Sequence, residues 1–383
     1  MRIVRAASFV AVLAAAPAAA DPLPPVTSRN YAIDLYDGVA LGNSATIAMG
    51  GASAANAFGS SGTLVNPSAS AIRRTTDIDE WSWDYHLDYL NAALSADYDN
   101  NGQVTSGSGL AALTLGLGLR WRDWGVAATG TSQSAPVDML TGTATRIQVA
   151  IAKWFPATDI AIGVATDIAQ FTVQRAGELP LFTIQGGGVE AGASWVPGGE
   201  NFRVGATATS RIVGGTVVAQ NCDPNNCDGF ILPDQVEAGW RVVAGGAYRW
   251  GPEAWNQLVA GTFRDERALT VVSDLVITGS VPNGYGLEAF GEHELQRSGK
   301  HASYSLRGGV EYEWLPGRLR VRGGSYWEPG RFDGVGGRLH GTFGIEVRAL
   351  AFNAWGPRRG RITLTSDVAE RYRNIGVSIG FWH

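Results

Sequence analysis

Residues 80–90 read EWSWDYHLDYL, and their period decides the fold. Trp81, Trp83, Tyr85, Leu87 and Tyr89 fall on one side of a two-residue repeat, and Ser82, Asp84, His86 and Asp88 fall on the other. Such alternation places one face of a β-strand in an apolar medium and the other in a polar one. The pattern recurs along the chain. Leu113, Leu115, Leu117, Leu119 and Trp121 alternate with small or polar partners, as do Val236, Ala238, Trp240 and Val242, and Ile375, Val377, Ile379 and Phe381. No stretch of comparable length carries a helical stripe.

The strands are about ten residues long, and Trp or Tyr recurs near their ends, at Trp81, Trp121, Trp124, Trp154, Trp195, Trp250, Trp314 and Trp327. A soluble β-sandwich has shorter strands and buries its aromatics centrally. A barrel in a bilayer sets aromatics in girdles at the two interfaces and alternates apolar-out with polar-in. Lipid cannot hydrate an open sheet edge, so the sheet must close. The expectation is an all-β protein, a transmembrane antiparallel β-barrel.

The connections alternate in length. Arg122-Asp123, residues 156–158, 197–200 and 315–318 are tight; residues 97–108, 132–143, 174–187, 214–232, 279–301 and 328–336 are longer and polar. Outer-membrane barrels have short periplasmic turns and long external loops. Strand 1 then rises through 80–92. It is followed by 109–121 with 124–131, 145–155 with 159–173, and 188–196 with 201–212. Next come 234–250 with 267–279, 303–314 with 318–328, 337–350 with 360–366, and finally 373–382. That makes about 14 strands; residues 258–263 could add to the count and bring it to 16.

Before the first strand the character changes. Residues 1–20 carry Arg2 and Arg5, then a short apolar run, then small residues before Asp21, the pattern of a secretory signal peptide. Without Arg2 and Arg5 the 30 basic and 35 acidic residues become 28 and 35, a net charge of −7, which argues against nucleic acid as a partner. Residues 49–69, MGGASAANAFGSSGTLVNPSA, are too small to build a core and too uncharged for a solvated linker. Gly50 and Gly51 allow tight turns, and Asn66-Pro67-Ser68 marks a fixed bend. Residues 21–78 are therefore expected to fold into the lumen as a plug, with the barrel spanning 79–383. Inward-facing Asp84, His86 and Asp88 are its expected contacts on strand 1.

The run GNSATIAMGGASAANAFGSSGTLVNPSASAI (42–72) resembles the N-terminal hatch of the FadL family of outer-membrane long-chain fatty acid transporters. The late strands LRVRGGSYWEPGRF and RLHGTFGIEVR are similar to that family too, and the final NIGVSIGFWH resembles the insertion signal of bacterial outer-membrane proteins, with His383 after the usual terminal aromatic. Where the family's hatch has Asn-Pro-Ala, this chain has Asn66-Pro67-Ser68. The resemblance implies passive uptake of fatty acids or other small hydrophobic molecules, gated by the hatch, with release sideways through a break in strand 3. Gly125, Gly130 and Pro136 in that strand could form such a kink. Secretion-associated barrels of the PorV type share the opening signature, so a role in protein secretion or assembly stands as the alternative. An apolar cavity would favour small-molecule transport, and a polar, filled lumen the alternative. The implied setting is the outer membrane of a Gram-negative bacterium, as a monomer contacting lipid and a hydrophobic ligand.

Other constellations point elsewhere. DYDNNGQV (97–104) matches the first half of a calcium loop through Asp97, Asp99 and Asn101, but Ser108 stands where the bidentate Glu belongs. A polar hairpin loop is the simpler reading, and no other cofactor is expected. Cys222 and Cys227, the only cysteines, read as a disulfide closing a short external loop. There is no Gly-x-Ser-x-Gly elbow, and His293 in GEHEL has no second His at zinc-protease spacing, so catalysis is not expected.

Overall fold

The computed structural model describes residues 22–382 apart from 37, 41, 74–79, 93–95, 105–109, 138, 176, 220–221 and 259–262. The expected leader and the expected boundary near residue 79 lie outside the described residues.

Fourteen antiparallel strands form the wall. They are β1 (Trp81–Ala92), β2 (Ala111–Trp121), β3 (Trp124–Val137), β4 (Leu140–Phe155), β5 (Ile160–Arg175) and β6 (Pro180–Trp195). β7 runs through Phe202–Thr209 and resumes at Ile212–Gly214; β8 runs through Gln235–Ala238 and resumes at Arg241–Trp250. The rest are β9 (Leu269–Thr278), β10 (Ser303–Leu315), β11 (Leu319–Glu328), β12 (Arg338–Asn353), β13 (Pro357–Ala369) and β14 (Tyr372–Phe381). β14 pairs with β1, Ile379 opposite Leu87, and the barrel closes. β8 pairs directly with β9, so the count is fourteen and the sixteen-strand option falls.

The outside is a continuous apolar band. Leu113, Leu115, Leu117 and Leu119 on β2, Ile147 and Val149 on β4, Leu364 on β13 and Ile375 on β14 are all exposed. A water-soluble surface does not sustain a band of that extent, whereas hydrocarbon requires it. At the short-turn end Trp81 stands opposite Trp121, and Trp121 opposite Trp124, which sets a girdle of indoles at one interface.

Two expected loops are strands instead. β3 and β4 stay paired up to Val137 opposite Leu140, within the expected loop 132–143. β5 and β6 likewise stay paired past Thr172 opposite Thr183, within the expected loop 174–187. There Ser134 meets Thr143 at 3.3 Å and Thr172 meets Thr183 at 3.2 Å, so polar side chains satisfy one another beyond the apolar band.

Candidate functional site

The inner wall meets the N-terminal segment through carboxylates and small side chains. Short helices at Ser44–Ala48 and Gly59–Thr63 and a 3-10 turn at Pro67–Ala71 leave several backbone N–H groups without helical partners. Acids on the wall accept from them. Asp88 Oδ1 accepts from Ser44 N at 2.8 Å, and Asp84 Oδ2 from Ser60 N at 2.9 Å. Asp274 Oδ2 on β9 accepts from Ser53 N at 2.7 Å and Ala54 N at 2.9 Å. His86 Nδ1 lies 3.0 Å from Ser60 Oγ. A hydrogen bond to a charged group contributes about 1.5–3 kcal/mol. Asp84, His86 and Asp88 thus all point inward and all touch residues 43–60.

Gly50 and Gly51 turn the chain after the first helix at positive φ, 68° and 73°, and Gly50 N donates to Thr342 Oγ1 at 3.0 Å. Asn66 caps the 3-10 turn, its Oδ1 accepting from Ser68 N. Its Nδ2 donates to Ala193 O and Ser194 Oγ on β6, each at 3.2 Å, and Ser68 Oγ lies 2.8 Å from Ser194 Oγ. Contact is close enough that the wall has no room for a Cβ. One built on Gly205 would stand 2.0 Å from Ala54 O, and one on Gly163 2.5 Å from the Pro67 carbonyl carbon.

Gly125, Gly130 and Pro136 do not break β3. The strand keeps register with β4 through all three positions and with β2 through Gly125 and Gly130. Gly125 packs tightly against the N-terminal segment, since a Cβ there would stand 2.1 Å from Ser70 O, and Pro136 sits one residue from the strand end. The interruption of the wall lies in β7 and β8. Ser210-Arg211 and Gly239-Trp240 drop out of the ladder at one level, between the pairs Thr209–Arg241 and Ile212–Ala238. Beyond it, residues 235–237 pair with Ala32–Asp34 of the N-terminal segment.

The segment divides the lumen. On the long-loop side lies a cavity of about 210 Å³ with a mixed lining: Leu35, Val39, Leu64, Val236, Val276 and Phe332 are among its apolar residues, and Asp34, Asp99, Arg146, Asp167, Glu190, Arg241, Asp274 and Arg307 are its charged ones. Tyr31, Ile33, Phe182, Phe230, Leu232 and Phe290 pack into an apolar cluster at this end. On the short-turn side lies a second cavity of about 210 Å³, rich in arginine. Thr46 lines both.

Cys222 and Cys227 are joined in the long loop between β7 and β8, with Cys227 packed into the apolar cluster. Asp97, Asp99 and Asn101 form a turn instead of a cation cradle. Asp97 accepts from Asn101 N at 3.0 Å and Gly102 N at 3.1 Å and faces Arg338 and Arg371, so its oxygens are already engaged. Among the described residues no cluster of acids, His and Cys suits a metal ion. Burial, then Glu288 and Asp97, pushes the Asp99 carboxyl well above the usual range.

Asp274, Ser194 and Thr342 were not singled out from the sequence. Their signal is there: in LTVVSDLVIT a lone acid stands at the centre of an apolar strand, where only an inward position tolerates it.

A closed fourteen-strand barrel with a lipid-facing band and an occupied lumen defines a bacterial outer-membrane β-barrel. Its fold is that of the FadL-type barrels. It is similar to the CymD monoaromatic hydrocarbon channel, with a TM-score of 0.53 at 12% identity over 90% of this chain and 97% of that one. It is also similar to the toluene transporter TodX of Pseudomonas putida, with a TM-score of 0.50 at 12% identity over 93% of this chain and 99% of that one. No protein-family model matches the sequence. No curated protein matches it either.

Proposed function

We propose that this chain is a passive outer-membrane channel for small hydrophobic molecules, with residues 22–72 as its hatch. The observation that carries this reading is the cavity on the long-loop side, whose lining surface is more apolar than polar and which the N-terminal segment closes off below. By the rule for outer-membrane barrels that side faces outward. Apolar solutes enter such a cavity by leaving water. Of the two readings left open by the sequence, an open cavity with a mainly apolar lining favours cargo over a secretion partner. The structural neighbours named as hydrocarbon and toluene channels support small apolar cargo, whether aromatic or a fatty acid.

Sideways release fits the β7–β8 interruption better than β3. Gly186, Ile212, Gly214 and Ala238 beside it line the outer cavity, and Trp240 is exposed on the outer surface. Between β7 and β8 these four residues carry no ladder pairing; what spans the gap is the Arg211–Glu237 ion pair, while Ser210 N bonds back to Val189 O at 2.9 Å and Trp240 O accepts from Gly279 N at 2.7 Å. Mass spectrometry of molecules extracted from the purified barrel tests the reading. Apolar molecules small enough for the cavity should co-purify; a barrel that carries only detergent and bilayer lipid overturns it.

A further inference from the structure

The inner cavity, on the short-turn side, has a different chemistry from the outer one. Seven arginines and four carboxylates line it. Most of the arginines have partners. Arg249 and Arg264 share Glu266 at 2.9 and 2.6 Å, and Arg322 and Arg361 reach Glu346 at 3.0 and 3.4 Å. Among the described residues Arg73 and Arg203 are the exceptions: Arg73 Nε is buried with no partner, and Arg203 turns its guanidinium to an aromatic ring. The Arg203 side chain points inward from β7 and is 6% exposed. Nε donates to Asn256 Oδ1 at 2.8 Å, and the guanidinium lies 3.9 Å over the Trp255 ring. Neither terminal nitrogen has a hydrogen-bond partner among the described residues, and no carboxylate faces it; the charged neighbours nearest in effect are Arg249 and Arg264. The hatch offers no counter-charge, because residues 43–72 contain no charged side chain.

A guanidinium held from one side by Asn256 and stacked on an indole can receive an anion through its terminal nitrogens. The walls around it are aromatic: Phe58, Trp255, Phe263, Phe381 and Trp382 line the same space. We propose that the inner cavity is a binding site for small organic carboxylates, with Arg203 receiving the carboxylate and the aromatic wall the apolar body. This rests on the channel reading above and adds a class of cargo with its own route. A neutral molecule can leave sideways into lipid, whereas a carboxylate pays heavily to enter hydrocarbon and needs an aqueous exit. The inner cavity supplies one on the far side of the hatch.

The test uses the full mature barrel in nanodiscs of zwitterionic lipid, with empty nanodiscs as the partition blank, and equilibrium dialysis of three probes. These are 4-ethylbenzoate, its neutral analogue 4-ethylbenzamide, and ethylbenzene. The expected result is that wild type binds 4-ethylbenzoate at least tenfold more tightly than the amide. Arg203→Gln should erase that preference and leave amide and ethylbenzene binding unchanged; Arg203→Lys should restore part of it. Heat-modifiable gel migration checks that each variant is a folded barrel. Equal binding of the benzoate and the amide by wild type overturns the proposal, as does a preference that survives Arg203→Gln. If ethylbenzene binds while the benzoate preference is missing, only the anion site falls. If the Arg203-dependent preference is present and ethylbenzene does not bind, the anion site stands and the apolar-cargo reading falls.

Discussion

At Gly205 a single methyl group decides whether the N-terminal segment fits against β7. The nearest atom to a Cβ there is a backbone carbonyl, Ala54 O at 2.0 Å, which cannot swing aside as a side-chain tip could. Gly205→Leu should therefore push the segment off β7 and raise single-channel conductance in planar bilayers. Gly130 is the matched control, because nothing lies within 4 Å of its Cβ position. Gly130→Ala should leave conductance unchanged and be neutral to stabilising, by at most about 1 kcal/mol. The carboxylates make the complementary case. Removing Asp84 and Asp88 together strips the acceptors of Ser60 N and Ser44 N, so Asp84→Ala with Asp88→Ala should also raise conductance. Unchanged conductance in that pair would mean that packing, not charge, holds the segment. Asp84, His86 and Asp88 could be picked out in advance because strand 1 alternates so cleanly. Asp274 and the glycines could not, since which inward residue meets which hatch residue depends on how fourteen strands close.

Elements were legible where lipid enforces them and illegible elsewhere. Within the apolar band the outer face must be hydrophobic, so period two is written plainly into β2, β4 and β14. Past the band both faces can be polar; the alternation fades, and the upper parts of β3 to β6 look like loops. The supposed calcium loop shows the same limit, because a turn that caps its own N–H groups uses the residue types of a cation site. Its acids still have a consequence. Asp99 is buried against Asp97, Glu288 and, farther off, Glu328, with Tyr98 beside it, and its carboxyl is held above the ordinary value. A raised pKa in the folded state means stability that is complete below the unfolded value, about 3.9, and is lost as pH rises through the folded one. The contact between residues 97–104 and the helix Leu287–Gly291 should therefore open more often toward alkaline pH. Hydrogen exchange of 97–104 at pH 5 and 8, corrected for intrinsic rate, measures it. Asp99→Asn should reduce the slope, and Asp97, raised in the same direction, accounts for what remains. A slope identical in the variant would place its origin elsewhere.

For the whole molecule the question is whether the hatch moves for cargo to pass. The two cavities are separated by residues pinned to the wall at β1, β6, β9 and β12, so passage from one to the other requires some of those bonds to break together. The pair Ser68 and Ser194 offers a reversible lock, because their hydroxyl oxygens already lie 2.8 Å apart. Ser68→Cys with Ser194→Cys should close into a disulfide with little distortion of either backbone. Oxidised, this variant should lose uptake of radiolabelled 4-ethylbenzoate into cells that produce it; dithiothreitol should restore uptake, and each single variant should be unaffected by oxidant. Sideways traffic is separable by the same device at the wall. Ile212 and Ala238 stand opposite each other at the edge of the interruption, so Ile212→Cys with Ala238→Cys, oxidised, should slow the release of a neutral apolar probe and spare the carboxylate. If the hatch lock stopped neither probe, residues 66–68 would stay against β6 throughout transport, and the β7–β8 interruption would have to carry all of it.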